Sequence, residues 1–435
     1  MKLNRSIGWG SAGLFSFSLF LLPTALTFQD TTQPPVNTLA AQSAYAIDEL
    51  NAAAVNAVFG EDEIKPIPAY IERSLDWLAS AQFENGGWGA GSHADQSNRD
   101  PRNVSIDPAT TAFSAMALVR AGNTLSEGAY RTNLGKALEY LLKLVEDAPE
   151  EGPSITDIRG TQPQAKLGQN IDVSMVSQFL TRMLPETKSD RDLHARVEAA
   201  LDKCIRKIQI AQNDDGSFSQ GGWAGVLQSA MANSALERAS AAGARVDKDA
   251  LEKSRSYQQS NVSADGSIRT EAAAGVKLYS IASSQRAAAP VVADARQRLK
   301  EAKRDGRVDD LAEIDEETLR RIGYSEDEAR EVNSANESYN TATELLEDDT
   351  VLAGFGNNGG EEFLSYMMTS EALAQTGGQE WENWYSKMNK RLEKIQNPSG
   401  SWSGHHCITS PVFSTAAVIL TMTADRDAYT YGSKK

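Results

Sequence analysis

Gln82-Phe-Glu-Asn-Gly86-Gly-Trp88 is a phrase that the chain repeats, as Gln212-Asn-Asp-Asp-Gly216-Ser-Phe218 and Gln396-Asn-Pro-Ser-Gly400-Ser-Trp402. Each copy reads Gln-x3-Gly-x-aromatic. The leading glutamines stand 130 and 184 residues apart, so two units of 65 fill the first interval and three of about 61 fill the second. One period near 63 serves both and places the copies in units one, three and six of six.

The residues around each copy explain the period. Upstream lies an amphipathic helix with one apolar stripe: Ile71, Leu75, Leu78 and Gln82, or Val197, Leu201, Cys204 and Ile208, or Trp381, Trp384, Met388, Leu392 and Ile395. Leu134, Leu138, Leu141 and Val145 form a further stripe. Downstream comes another kind of helix, small and apolar nearly all round: 110–121, 171–184, 227–242, 271–282, 363–374 and 412–422. A helix apolar on every side is surrounded by protein, whereas a single stripe marks an outer position. Alternation of the two predicts an all-α fold, a single (α/α)6 toroid of six helix hairpins, which leaves no terminal repeat to cap. Within the motif, Gln82, Gln212 and Gln396 can bond backbone groups at helix ends. Gly86, Gly216 and Gly400 suit a turn that ends a helix, and Trp88, Phe218 and Trp402 cover it.

This pattern resembles the squalene-cyclase and prenyltransferase repeat superfamily, whose glutamine–tryptophan motif has the same form. Gly400-Ser-Trp402-Ser-Gly404 followed by Val412-Phe-Ser-Thr415 is most similar to the last repeat of a squalene–hopene-type cyclase. The resemblance runs from about Ile67 to Asp425 and implies a terpenoid-cyclase-like toroid acting on an isoprenoid or other long-chain molecule. It does not bring the catalytic signatures with it. The Asp-x-Asp-Asp proton donor of triterpene cyclases is absent. Asp202-Lys-Cys204 copies the zinc pair of prenyltransferase β subunits by letters only, since it precedes its motif and puts Cys204 on an apolar stripe. The Cys-Gly-Glu-Gln of thioester toroids is also absent.

Composition narrows the rest. Lys plus Arg number 43 against 59 Asp plus Glu, a net charge of −16 with no basic stripe, which argues against nucleic acid. The 2 cysteines are too few for a disulfide scaffold. Lys2 and Arg5 before the apolar run 12–22 read as a secretory signal over residues 1–28, so the protein is expected to be exported. Left uncleaved, the same segment would hold it near a membrane. Residues 29–62 read as a linker, 63–425 as the toroid and 426–435 as a tail. The charged stretch 290–349 reads as a helical insertion outside the ring, a surface on which a protein partner would dock. Gly354-Phe-Gly356-Asn-Asn-Gly359 is a literal Gly-x-Gly-x-x-Gly, but an acidic helix precedes it where a dinucleotide fold needs a strand.

His405-His406-Cys407 is the chain's one concentration of His and Cys. His406 is the expected acid/base, and His406 with Cys407 the expected metal ligands, zinc or another divalent ion being what such donors take. Nothing in the sequence demands a metal. His93 and His194 read as surface residues. In a toroid all inner helices run one way, so their N-termini share a mouth, where Asp107, Asp172 and Glu271 join His406 as candidate catalytic residues. For each acid, capping the positive helix end is the competing explanation. Three functions follow: an exported enzyme on a long-chain substrate, a binding or scaffold ring without catalysis, or a polysaccharide-lyase-like enzyme on the same architecture. The expected ligand is a small, lipid or chain-like molecule.

Overall fold

A computed structural model describes residues 64–218, 221–356 and 358–427, all within a unit spanning 49–435. The expected signal and linker, and residues 428–435, lie outside the described residues. The described chain is helical, and its only β pairing is the isolated bridges Ser92–Thr161 and Val262–Ile268. No described helix is long and apolar enough to cross a membrane.

In chain order the helices are α1 (Ala69–Ser80), α2 (Pro108–Arg120), α3 (Arg131–Asp147), α4 (Gln162–Leu167), α5 (Ile171–Thr187) and α6 (Arg191–Ile210). Next come α7 (Gly225–Ala241), α8 (Lys248–Gln259), α9 (Lys277–Arg304), α10 (Glu316–Arg321) and α11 (Glu326–Leu345). The last are α12 (Asp349–Leu352), α13 (Gly360–Thr376), α14 (Gly378–Lys394) and α15 (Pro411–Met422). Helices α2, α5, α7, α13 and α15 are buried over nearly their whole length, as is the first half of α9. These helices touch in a closed circuit, each meeting the next and α15 meeting α2. The striped helices lie outside: α3 against α2, α6 against α5, α8 between α7 and α9, α11 against α9, and α14 against α13. Apart from α8, which also packs on the inner helix after it, each of these outer helices packs chiefly on the inner helix before it. Helix α1, with no inner helix before it in the described chain, packs on α15.

The motif turns stitch neighbouring outer helices. Gln82 Nε2 donates to Gly86 O (2.8 Å) and to Asn133 O of α3 (2.9 Å). Gln212 Nε2 donates to Ala250 O of α8 (2.8 Å), and Gln396 Nε2 to Tyr70 O of α1 (2.8 Å). The turn glycines have φ of +94°, +85° and +91°. A Cβ on Gly86 or Gly216 would also overlap the carbonyl of Lys136 or Lys253 on the following outer helix. Glycine is required twice over, for the left-handed backbone and for the close approach. The aromatic rings are buried, and Trp88 and Trp402 donate through Nε1 to Leu78 O (2.8 Å) and Leu392 O (2.9 Å). Their backbone N–H groups, and that of Phe218, bond hydroxyls of the next inner helix: Thr111, Thr415 and Ser229.

A further turn of this kind was not recognised from the sequence. Val262-Ser-Ala-Asp-Gly266-Ser-Ile268 repeats the backbone bonds of 212–218, Ser263 N to Ser267 O and Gly266 N to Ser263 O, both 3.0 Å. Val replaces the glutamine and Ile the aromatic; only Asp-Gly-Ser, shared with 215–217, marked it.

Two boundaries differ from expectation. The stretch 290–349 is not outside the ring throughout: α9 continues straight through Pro290, and α11 returns as an outer helix with Tyr339 and Ala342 in the main core. What projects is a satellite around Ala295, Leu299, Leu319, Ile322 and Val332. The thin stripe of α11 concealed its role because its inward positions are mostly small or polar, Ala329, Ala335, Asn336, Ser338 and Ala342. The expected tail also starts too early, since Arg426 and Asp427 pack against the ring as Asp425 does. Lys65 N donates to Asp425 Oδ2 (2.8 Å) and Arg426 Nη2 to Lys65 O (2.7 Å), tying the two ends of the described chain together.

Gly216→Ala is expected to lower stability by more than Gly266→Ala. The second substitution carries the positive-φ strain alone, roughly 1–3 kcal/mol, because its Cβ would meet nothing closer than Thr341 Cγ2 at 4.0 Å. The first adds overlap with backbone. Trp402→Ala is expected to cost roughly 3–5 kcal/mol. Urea unfolding of the three variants checks the order.

Candidate functional site

The first turns of the encircled helices meet at one end of the circuit, and most of their polar groups are consumed there. Asp107 is the N-cap of α2, with Pro108 at its first position. Its Oδ1 accepts from Thr110 N (2.7 Å), and its Oδ2 from Thr110 Oγ1 (2.9 Å) and Ala90 N (2.8 Å). Asp172 accepts from Ala109 N on Oδ1 (3.1 Å) and from Gln164 Nε2 on Oδ2 (2.6 Å). Burial pushes Asp107 up to about 6. Burial, with the charge of Asp107, pushes Asp172 up to about 7. Both acids are structural caps with every oxygen engaged.

Short helix α4 lies across this end. Gln162 Oε1 accepts from Thr409 N (2.7 Å) and Ser410 N (3.1 Å), capping α15 from a distance of 247 residues in sequence. Gln164 holds Asp172, and Lys166 O receives Ala224 N at the start of α7 (2.8 Å). One six-residue helix therefore supplies partners to three inner-helix starts.

Glu271 does not join them. It is exposed on a short 3-10 turn, and the inner helix begins only at Lys277, because Ala274 (φ +52°) and Gly275 (φ +80°) break the path between. His405 is exposed, and its N–H donates to Asn358 O (2.9 Å). His406 packs edge-on against Phe355 at 5.2 Å, beside the start of α13. Cys407 is buried with φ +60°, and burial, reinforced by Glu361, pushes its thiol up to about 12. Among the described residues no three His, Cys, Asp or Glu side chains gather as a metal site. Cys204 is a buried core residue of α6, while Asp202 faces Arg245 (3.4 Å). His93 and His194 are half-buried and hydrogen-bonded, to Gln96 and Thr187 respectively.

The residues that do converge at His406 are ones the sequence reading passed over. Glu361 and Glu362 open α13, both fully buried. Glu362 accepts from Tyr279 OH (2.6 Å), Phe355 N (2.9 Å) and Gly359 N (2.7 Å). The glycine-rich loop is a wrapper for this carboxylate: a Cβ on Gly354 would strike Glu362, and one on Gly359 would strike both Glu362 and His406. Glu361 is less well served. Its Oε2 accepts from Ile408 N (3.2 Å), while Oε1 is buried without a hydrogen-bond partner. Burial, then the charge of Glu362, pushes Glu361 up to about 8, so it is mostly protonated at neutral pH.

Beside this acid pair stands an aromatic shelf. Trp223 meets Tyr279 at 6.3 Å and Phe355 at 5.2 Å, both edge-on, and Lys166 Nζ lies 5.1 Å from the Trp223 ring centre. Phe355 is 55% exposed, unusual for a large apolar side chain on this protein, and Trp223 is half-buried. The adjacent acids Glu361-Glu362 at the start of an otherwise apolar helix were the available signal.

No family model matches this chain, and no curated protein matches it. Among solved structures, a type II terpene cyclase from Scytonema, in complex with its product merosterolic acid A, is similar at 11% identity and a TM-score of 0.33, over 88% of this chain and 99% of that one.

The pKa of Glu361 makes a pH prediction. Folded, it holds its proton up to about pH 8; unfolded, it releases it near the ordinary value of 4.5. The folded state binds more protons across that window, so this group's contribution to stability is full below about 4.5 and is lost as pH rises toward 8. Glu361→Gln is expected to match the wild type at pH 5 and to exceed it at pH 8, by roughly 1–3 kcal/mol. Thermal melts at both values check it.

Proposed function

We propose that the protein is exported and holds a long, mostly apolar chain of isoprenoid type at this mouth. The flat apolar part lies on Trp223 and Phe355, and the polar end meets Lys166, with the buried Glu361 nearby. One observation carries the reading: a buried, protonated carboxyl with an oxygen that no protein group engages stands beside a partly exposed aromatic shelf. Aromatic faces suit the π-bonds or developing positive charge of such a chain, and a neutral carboxyl donates a hydrogen bond or, in an enzyme, a proton. The motif resemblance supports the substrate class. His406 would line the shelf as a flat contact through its packing on Phe355.

A ring retained for binding alone is favoured by a separate observation. Asp107 and Asp172, the acids placed at the mouth by sequence, have all their oxygens in hydrogen bonds to the fold. The polysaccharide-lyase reading finds no support in the site, whose partly exposed side chains are largely aromatic.

Equilibrium binding of farnesol to the purified protein, followed by product analysis after long incubation, separates the readings. The expected result is saturable binding that Trp223→Ala weakens about tenfold or more, a loss of about 1.4 kcal/mol. New products that vanish in Glu361→Gln would show turnover; unchanged farnesol would leave binding alone. Equal, weak partitioning into wild type and Trp223→Ala would overturn the site.

A further inference from the structure

Away from the mouth, the encircled helices carry a second polar layer. Arg120 of α2, Arg182 of α5, Arg238 of α7 and Arg286 of α9 sit 9 to 13 residues after their helix starts, as does Glu371 of α13. Helices of common direction bring these positions to one level, about 15–20 Å from the mouth at 1.5 Å per residue. All five side chains are 7% exposed or less. They meet around Asp427, delivered by the segment after α15. Arg120 Nη2, Arg182 Nη2 and Arg238 Nη2 approach the single oxygen Asp427 Oδ2 at 2.6, 2.7 and 2.9 Å. Glu371 binds Arg286 at 2.6 Å, with Arg120 and Arg238 also against it. Helix α15 adds Leu420 O, which accepts from Arg120 Nη1 (3.0 Å).

The convergence on Asp427 is more than a carboxylate asks for. A planar carboxylate is matched by one guanidinium fork in two parallel bonds. Here three forks reach one oxygen from three helices around the ring, a three-dimensional arrangement of donors. The Nε of Arg120 is buried without a hydrogen-bond partner. The positive field holds Glu371 down to about 2 and Asp427 well below the usual carboxylate range. Such a lattice suits an anion whose oxygens point in several directions, and arginine is the side chain that recognises one. The occupant comes from the segment after α15, not from the ring wall.

We propose that the arginine layer is a binding site for a tetrahedral oxyanion, phosphate or sulfate, and that Asp427 is the chain's own occupant of it. Removing the Asp427 side chain opens the site to the anion from solution, and Arg120, Arg182 and Arg238 hold it.

The test uses inorganic phosphate on the full mature chain. In the wild type, phosphate is expected to shift the melting temperature no more than chloride at equal ionic strength. In Asp427→Ala, phosphate is expected to raise it by several degrees over chloride and to bind saturably by calorimetry. Arg182→Gln in that background is expected to weaken binding tenfold or more. Sulfate that works as well as phosphate assigns the site to tetrahedral oxyanions generally; phosphate alone assigns it to phosphate, and either supports the proposal. If phosphate and chloride act alike on a folded Asp427→Ala, the layer is a structural ion network and the proposal fails. Should that variant not fold in chloride, its refolding yield in phosphate decides: recovery supports the site and its absence overturns it.

Discussion

The bond from each motif glutamine to the following outer helix is the interaction on which the rest of the architecture depends. It fixes the distance between successive outer helices, and the glycine four residues on makes that distance sterically allowed. The hydroxyl that receives the next backbone N–H then anchors the turn to an inner helix. Gln82 reaches α3 and Gln212 reaches α8, each a step forward in the chain. Gln396 has no later outer helix to reach in the described chain, and it reaches back to α1. The same local chemistry that propagates the ring therefore closes it, with Lys65, Asp425 and Arg426 tightening the seam.

A helix enclosed on all sides cannot leave its polar ends to water. At the mouth the solution is internal capping: Asp107 and Asp172 serve α2, Gln162 serves α15, and Glu362 serves α13 together with its glycine-rich loop. Each of these groups is a functional candidate by residue type and a structural element by its bonds. Glu361 stands apart because the same enclosure leaves one of its oxygens without a partner, and the aromatic shelf is the partly open surface beside it.

Similar buried acids meet opposite fates at the two levels of the ring. Glu361 has another glutamate as its immediate neighbour, and backbone hydrogen bonds and the more distant charge of Lys166 do not offset its burial, so it retains its proton. Glu371, also buried, lies among arginines and stays ionised. Desolvation acts on both in the same direction; the sign of the surrounding charge decides. The ring thus separates a protonated carboxyl layer from an ionised, arginine-rich one within a single core.

From the sequence alone, the periodic part of this protein was legible: helix type from the stripe or its absence, the turn from Gln-x3-Gly-x-aromatic, and the common direction of the inner helices. These are local or repeating properties, and short-range physics writes them directly into residue order. The role of Asp107 as a cap, with Pro108 after it, was readable for the same reason, whereas Asp172 caps the neighbouring helix α2 through Ala109 N. Tertiary structure alone decided which residues meet. Gln162 and Ser410 are 248 residues apart in the chain, Arg120 and Asp427 are 307 apart, and no pattern in either segment announces the other. Glu271 fell outside because two residues of left-handed backbone moved the helix start, and Glu361 came inside because the ring brought Tyr279, Cys407 and the glycine loop around it. Side-chain convergence across a closed ring is set by the summed geometry of all its helices, which no single stretch of the chain contains.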